Sequence, residues 1–336
     1  MTTTIADTTY VLPIRRLTIG TDDDLPEYLQ SLARLMPVLV ADGSPPAVFA
    51  HHAAAWPSAV RHIAIDEDRR SDLNGKVAGV VTALRRVHTP KAVIADDDVR
   101  YDPFVLRRLC ALLDDADIVL PQNVFHPAPW HAVLDTARTL IARATGGDWP
   151  GTLGIRMEVY ARAGSYDGNV LFENLELVRT LRATGGRERR ADDMFVARRP
   201  CSSLRFFDQR LRHAYDELGR PARLVAQLAI VPVLALGMRR FGVRALAASA
   251  LGAVALAEAG RRRCGGAQVF PFAASLCAPV WLIERAATSW IALGLRLARG
   301  GVRYSNGTLR VAANSEGTLR ARHAAGAALA AAEARR

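Results

Sequence analysis

Residues 91–100 read KAVIADDDVR, so a short apolar run leads directly into three consecutive aspartates. Such a run is typical of a buried strand, which places the acids at its carboxyl end. Three like charges within one turn repel each other unless a cation compensates them. Asp96 and Asp98, spaced i, i+2, can direct both carboxylates at one ion, and hard divalent ions prefer oxygen ligands. A solvated acidic turn is the alternative interpretation of this segment alone.

Short apolar runs alternate with longer amphipathic segments through the first two thirds of the chain. Strands are predicted over residues 11–14, 38–40, 59–65, 92–95 and 118–120. Helices are predicted over residues 25–35, 74–86, 102–114, 130–144 and 171–184. This alternation predicts an α/β fold, with a three-layer domain and a mostly parallel sheet. Ligands of such sheets bind at the carboxyl ends of the strands, where Asp42 and the Asp96 cluster fall.

The last third of the chain differs in composition. Residues 223–336 carry 16 Arg and 4 acids, whereas residues 1–222 carry 28 basic and 29 acidic residues. The excess positive charge alternates with uncharged runs at 224–238, 245–257 and 264–283, of which only the last is long enough for a full membrane span. This arrangement suits an anionic membrane surface better than a nucleic-acid groove. We therefore expect a hydrophobic α-helical membrane region, with a buried helical subdomain as the alternative, and no nucleic-acid partner.

These patterns divide the chain into three parts. Residues 1–222 form the α/β domain, residues 223–300 a hydrophobic helical membrane-associated region, and residues 301–336 a basic Ala/Arg-rich tail. The first residues contain no basic segment followed by an apolar run, so no signal peptide is expected. The expected location is the cell membrane, with the α/β domain on the cytoplasmic side.

Two further segments contain residue types that suit a nucleotide. A predicted strand ends at Asp42, whose carboxylate can accept hydrogen bonds from a base or ribose, and Gly43 lets a ligand approach closely. Lys76 lies in the first turn of a predicted helix, where the helix N-terminus and the ammonium both favour a phosphate. A simple turn and an exposed lysine are the alternatives. His51 and His52 have no partner at metal-ligand spacing and are predicted to lie at the surface.

Two later segments suit an acceptor and a leaving group. Glu173 opens a predicted helix just before Asn174 and can act as a general base toward an acceptor hydroxyl, or simply interact with the helix dipole. Gln209 and Arg212 precede the first apolar run, and the guanidinium of Arg212 fits a pyrophosphate leaving group. A basic segment at a membrane edge is the alternative. Each of these segments alone is also compatible with its alternative, and the order of the segments along the chain is what indicates a function.

That order resembles family 2 glycosyltransferases with the GT-A fold, over roughly residues 10–215. Residues 40–44 are similar to the family's nucleotide-binding strand end and residues 74–76 to its Gly-Lys element. Residues 96–98 match its DxD metal motif, and residues 209–213 resemble the QxxRW motif of membrane-bound members. The apolar region that follows is similar to the membrane-bound branch that includes ceramide glucosyltransferases.

The resemblance implies an inverting transfer of a sugar from a nucleotide-diphosphate sugar to an acceptor hydroxyl of a lipid or membrane-linked molecule. It implies a divalent cation, Mg²⁺ or Mn²⁺, held by Asp98 and Asp96, and a leaving nucleoside diphosphate stabilised by Arg212. The implied substrate-binding residues are Asp42, Gly43, Lys76, Asp96 and Gln209.

Two positions depart from the family's pattern. Its Glu-Asp pair is Glu173-Asn174 here, and because an amide cannot accept the proton, Glu173 is the expected base. The other candidate bases are Glu176, Asp192 and Asp193. The Trp of QxxRW is His213.

Two other functions are compatible with the same sequence patterns. A nucleotidyltransferase can share the α/β layout and the metal requirement. A membrane-anchored nucleotide-sugar-binding protein that has lost catalysis would explain Asn174 in place of an acid.

Overall fold

The computed structural model describes residues 4–20, 24–304 and 307–333. The strands in these residues are β1 (Thr8–Ile14), β2 (Val38–Asp42), β3 (Val60–Ala64), β4 (Lys91–Ala95), β5 (Val99–Arg100), β6 (Ile118–Phe125), β7 (Thr152–Arg156), β8 (Glu188–Arg198), β9 (Val302–Tyr304) and β10 (Gly307–Leu309). The α-helices are α1 (Leu25–Ala33), α2 (Pro46–Ala55), α3 (Gly75–Leu84), α4 (Pro103–Leu112), α5 (Trp130–Ala144), α6 (Met157–Ala163), α7 (Glu173–Ala183), α8 (Ser203–Tyr215), α9 (Pro221–Phe241), α10 (Val243–Arg262), α11 (Phe272–Leu276), α12 (Ala278–Arg299) and α13 (Glu316–Glu333).

Eight strands form one sheet in the order β3-β2-β1-β4-β7-β6-β8-β5. The first four are parallel, β7 is antiparallel to both β4 and β6, and β8 is parallel to β6. Apolar side chains of the sheet pack against helices on both faces, in two separate core clusters. The predicted three-layer α/β domain with a mostly parallel sheet is therefore confirmed.

The start of α3 is tied to the segment before α7. Asn74 caps α3, with its side-chain oxygen accepting the backbone N–H of Lys76 at 3.1 Å. Its amide also donates to the carbonyl oxygen of Val170 at 2.9 Å. Because both bonds use one buried side chain, the first turn of α3 and the approach to α7 hold a common position.

Among the described residues, two helical segments are long and apolar enough to cross a membrane, namely Pro221–Phe241 and Val243–Gln268, and the second consists of α10 and the 3₁₀ turn that follows it. Only 11% and 17% of their most apolar windows are buried in the fold. The prediction that residues 264–283 alone have the length of a span was wrong. Left-handed backbone at Cys264 and Gly265 and the prolines before α11 and in the first turn of α12 break that run into short pieces.

The second half of α10 packs on the α/β domain. Ala253 and Ala257 join Leu140 of α5 in a buried apolar cluster, and a side chain at Gly260 would overlap the carbonyl oxygen of Leu140. Arg143 of α5 donates from Nε to the carbonyl oxygen of Gly260 at 3.1 Å. This close approach of backbone to backbone depends on the absence of a side chain at residue 260.

The chain returns to the α/β domain after α12. Backbone N–H of Leu171 donates to the carbonyl oxygen of Val311 at 3.0 Å. The hydroxyl of Tyr215 donates to the carbonyl oxygen of Arg310 at 2.9 Å. Residues near the C-terminal end therefore complete the wall around α7 and α8.

Candidate active site

The carboxyl ends of β2 and β4 place Asp42 and Asp96 at one edge of the sheet, because both strands run parallel to β1. Arg15 follows β1 at the same edge and lies beside both Gly43 and Gly75. Together with the N-termini of α3 and α7, these residues surround a polar region at the edge of the sheet, which we call the crevice.

Lys76 contacts two predicted site residues and Asn174. Its ammonium lies 2.5 Å from Oδ1 of Asp96 and 2.7 Å from Oε1 of Glu173, and it donates to Oδ1 of Asn174 at 3.4 Å. Burial alone would lower the pKa of Lys76, but attraction by the Asp96 and Glu173 carboxylates outweighs it and raises that pKa. The ammonium is thus a permanent cation between the acidic cluster and the predicted base.

A second cation, Arg198 at the end of β8, lies over the acidic cluster. Its Nε is 2.9 Å from Oδ2 of Asp98, and its Nη2 is 3.4 Å from Oδ2 of Asp96. Gly151 makes room for this arrangement, since a Cβ there would lie 2.6 Å from Oδ2 of Asp96. Sequence reasoning missed Arg198, because β8 is rich in charged residues and was not predicted as a strand.

The acidic cluster fits a divalent cation. Oδ1 of Asp98 is buried and has no hydrogen-bond partner among the described residues. Burial raises the pKa of this carboxyl, and the attraction of Arg198 opposes the shift. An enclosed carboxylate oxygen without a partner, beside a second carboxylate at Asp96, is the donor set that Mg²⁺ or Mn²⁺ prefers.

Asp42 is enclosed by its own neighbours. Its Oδ1 accepts the backbone N–H of Ser44 at 2.8 Å, while Oδ2 lies 2.7 Å from Nδ1 of His52 and 3.0 Å from Nε2 of His62. Burial would raise the pKa of Asp42, but the hydrogen bonds from His62, Ser44 and His52 outweigh it and lower the pKa to about 2. Asp42 as a whole is only 2% exposed.

The prediction that His52 lies at the surface was wrong. The unpredicted helix α2 turns His52 inward, where its ring stacks on Trp56 at 4.4 Å between centroids. The ligand atoms of Asp42, His52 and His62 lie within 4.8 Å of one another, close enough to hold a metal ion. The three hydrogen bonds that Asp42 accepts account for this cluster without an ion.

Strand β9 brings an unpredicted aromatic residue, Tyr304, to the crevice. The guanidinium carbon of Arg212 lies 5.5 Å from the ring centroid of Tyr304. Burial and the charge of Glu173 raise the pKa of Tyr304, and Arg212 and Lys76 oppose that shift. Arg212 and Tyr304 are therefore electrostatic neighbours of Lys76 and Glu173. Gln209 lies half-buried one turn earlier on α8.

The other candidate bases are engaged elsewhere. Glu176 is fully buried, and its two oxygens accept the backbone and side-chain N–H groups of Asn314 at 2.6 and 2.7 Å. Asp193 pairs with Arg108 of α4 at 2.5 Å, and Asp192 precedes it on β8. Of the four predicted bases, the carboxylate that opens α7 is the one that contacts Lys76.

No family model and no curated protein matches the chain. Its fold is similar to that of a mannosyltransferase from Pyrobaculum calidifontis in complex with GDP-Man and Mn²⁺, at a TM-score of 0.53 and 17% identity over 84% of this chain and 87% of that chain. TarS of S. aureus follows at 0.40, with 14% identity over 63% of this chain and 39% of TarS. Mannosyl-3-phosphoglycerate synthase from Rubrobacter xylanophilus also gives 0.40, with 12% identity over 61% and 70% of the two chains.

The likeness to the mannosyltransferase defines a GT-A-like fold for this chain. At 17% identity the likeness establishes the fold and not the activity.

Proposed function

We propose that the protein is a glycosyltransferase that moves a sugar from a nucleotide-diphosphate sugar to an acceptor hydroxyl with inversion at the anomeric carbon. The observation that carries the proposal is the position of Lys76 between Asp96 and Glu173. In a GT-A-like fold, the ammonium of Lys76 thus lies beside Asp96, a candidate metal ligand, and beside Glu173, a candidate base. The mannosyltransferase complex with GDP-Man and Mn²⁺ supports the same class of donor and ion.

The residues have distinct parts in this proposal. Asp98 and Asp96 would hold Mg²⁺ or Mn²⁺, which when bound neutralises charge on a diphosphate. Lys76 and Arg212 supply fixed positive charge for the phosphates and for the leaving nucleoside diphosphate, with Gln209 beside Arg212. A carboxylate of the crevice takes up the proton of the acceptor hydroxyl. Glu173 is the base expected from the sequence.

The nucleoside end of the donor is assigned to the turn after β2. Gly43 and Arg15 face this part of the crevice. Asp42 would act by holding the turn, since Oδ1 accepts the N–H of Ser44 and the carboxylate is itself enclosed.

The exposed apolar helices support a membrane-linked acceptor. Large apolar side chains of α9 and α10 point to solvent, among them Val233, Leu236, Phe241 and Leu251. Burying such surface in lipid is favourable, and the flanking arginines suit anionic headgroups. We assign residues 223–300 to the cell membrane, with residues 1–222 on its cytoplasmic side, and a lipid as the acceptor, as in the membrane-bound branch of family 2.

The test is turnover of a panel of nucleotide sugars by the full-length protein in detergent, with and without Mn²⁺. We expect metal-dependent release of nucleoside diphosphate from one donor. Asp98→Ala should abolish it, and Asp115→Ala, which removes an exposed acid outside the crevice, should not. Release of pyrophosphate from a nucleoside triphosphate and a sugar phosphate would identify a nucleotidyltransferase instead. Donor binding without turnover would identify a binding protein.

A further inference from the structure

Asp216 is a carboxylate at the crevice that sequence reasoning missed. It opens the 3₁₀ turn Asp216–Gly219 directly after α8, four residues beyond Arg212, and residues four apart are neighbours on a helical surface. The ring of Tyr304 lies against Arg212, and its hydroxyl interacts electrostatically with Glu173 and Asp216. Asp216 therefore lies near enough to Tyr304 and Glu173 to influence their charges, on the α8 side of the crevice.

The negative charge of Asp216 has fewer cationic partners than that of the adjacent Glu217. Oε1 of Glu217 accepts a hydrogen bond from Arg220 at 2.8 Å, and Oε2 lies 3.6 Å from Nε of Arg223. Asp216 has no ion pair within 4.0 Å among the described residues, and its buried Oδ1 has no hydrogen-bond partner there. Burial and the negative charge of Glu173 raise the pKa of Asp216 to about 7, although Arg220 opposes the shift.

Glu173 is less suited to take a proton. Its Oε1 lies 2.7 Å from the ammonium of Lys76, which is also bound to Asp96. Protonation of Glu173 would break this ion pair and leave the ammonium with one carboxylate fewer. Asp216 would lose no such pair on taking up a proton.

We propose that Asp216 accepts the proton of the acceptor hydroxyl, and that Glu173 is a positioning residue that holds Lys76. The inference rests on the proposed transfer reaction. In the step, the acceptor O–H bond breaks and its proton moves to a carboxylate oxygen of Asp216. The acceptor oxygen bonds to the anomeric carbon, the bond from that carbon to the diphosphate oxygen breaks, and its electron pair leaves with the nucleoside diphosphate.

Asp216 must be ionised to act, so turnover should rise with pH through about 7. The charged groups that act on it are Glu173 and Glu217, whose negative charges oppose ionisation, and Arg220 and Arg285, whose positive charges favour it, and the hydroxyl of Tyr304 also interacts with it. Removing the charge of Glu173 should therefore move the rise to lower pH. A purely structural role for Asp216 would produce no such shift.

The experiment is the pH dependence of kcat for donor turnover by the full-length protein, with water or an added alcohol as acceptor. Asp216→Asn should lower kcat by about 100-fold or more, leave the KM of the donor nearly unchanged and remove the rise near pH 7. Asp216→Glu should recover part of the rate. Glu173→Gln should keep the rise at a lower pH. Asp208→Asn, an exposed acid earlier on α8, should behave as the wild type.

The stability of the variants gives an independent readout. An acid whose pKa is raised by folding destabilises the folded state above that pKa, so Asp216→Asn should raise the melting temperature at pH 8. A residue needed only for structure would lower it when replaced.

Several results would overturn the assignment. One is a folded Asp216→Asn protein that keeps kcat within about threefold and the same pH dependence. If that variant does not fold, a wild-type profile that Glu173→Gln leaves unshifted decides against Asp216. Absence of turnover by the wild type with every nucleotide sugar would reject the transferase itself, whereas wild-type turnover with an unaffected Asp216→Asn rejects only the base.

Discussion

The ammonium of Lys76 lies 2.5 Å from Oδ1 of Asp96, so the first turn of α3 is bound to the end of β4. The same ammonium contacts Glu173 at the start of α7. One side chain thus connects α3, the end of β4 and the start of α7, and its removal should change the positions of all three.

The chain has two lysines, and they give a matched pair of variants. Lys76→Met leaves Asp96 and Glu173 without their shared cation, and donor turnover should fall by about 100-fold or more because the phosphates lose a fixed charge. Lys91 starts β4 at its other end and pairs with Asp7 and Asp114 at 2.8 and 2.6 Å. Lys91→Met should lower the melting temperature without lowering kcat of the folded protein. Equal losses of kcat would contradict the placement of Lys76.

Arg198 competes with a divalent ion for the acidic cluster. Arg198→Met removes the positive charge from Asp98 and Asp96, and the affinity for Mn²⁺ should rise by about tenfold, because two carboxylates then face the ion less compensated. Isothermal titration of the protein with Mn²⁺ measures this change. The adjacent Arg199, which pairs with Asp24 instead, is the control, and Arg199→Met should leave the affinity unchanged. Weaker binding in Arg198→Met would count against an ion at this cluster.

The enclosed carboxylate of Asp42 predicts a pH-dependent stability. Its pKa is about 2 in the folded protein against an ordinary 3.8, so its ionised form stabilises the fold above pH 4 and this contribution is lost as the pH falls toward 2. Asp42→Asn should lower the free energy of unfolding by about 2 kcal/mol at pH 7. Urea unfolding at several pH values should show the difference from wild type shrinking between pH 4 and 2. A constant difference would exclude this account.

Contact between α10 and α5 can be tested at two glycines of one helix. Gly260→Ala would drive a methyl group into the carbonyl of Leu140 and should lower the free energy of unfolding by about 2 kcal/mol. Gly252 has no atom within 4 Å of an added Cβ, and Gly252→Ala should be neutral or stabilising by up to about 1 kcal/mol, as expected from helix propensity. Denaturant unfolding in detergent compares them. A harmless Gly260→Ala would show that the two helices separate in solution.

Sequence patterns predicted the elements with clear apolar periodicity. Helix α5 has the predicted ends, Trp130–Ala144, and the parallel strands β1, β2 and β4 lie where their apolar runs are. Strands β7 and β8 were not predicted, because one lies in a glycine-rich stretch and the other carries several charged residues. The insertion of β7 between β4 and β6 depends on pairing between distant segments, which local periodicity does not encode.

The site was predictable where its residues follow strands or open helices. Asp96, Lys76 and Glu173 meet because each lies at such a position. The partners of Asp42 were not predictable, since His52 and His62 come from a missed helix and from the edge strand β3. Arg198 reaches Asp98 across 100 residues of sequence, a distance at which spacing carries no information.

The return of the chain after α12 has a practical meaning for anyone who wants a smaller, more tractable protein. Cutting the polypeptide before its apolar helices would also discard Tyr304 and Asn314, which touch Arg212 and Glu176. Truncation from the C-terminal end therefore removes residues that pack around the crevice as well as the exposed apolar helices. Replacing exposed apolar residues of α9 and α10 by polar ones would improve solubility and leave the residues around the crevice in place.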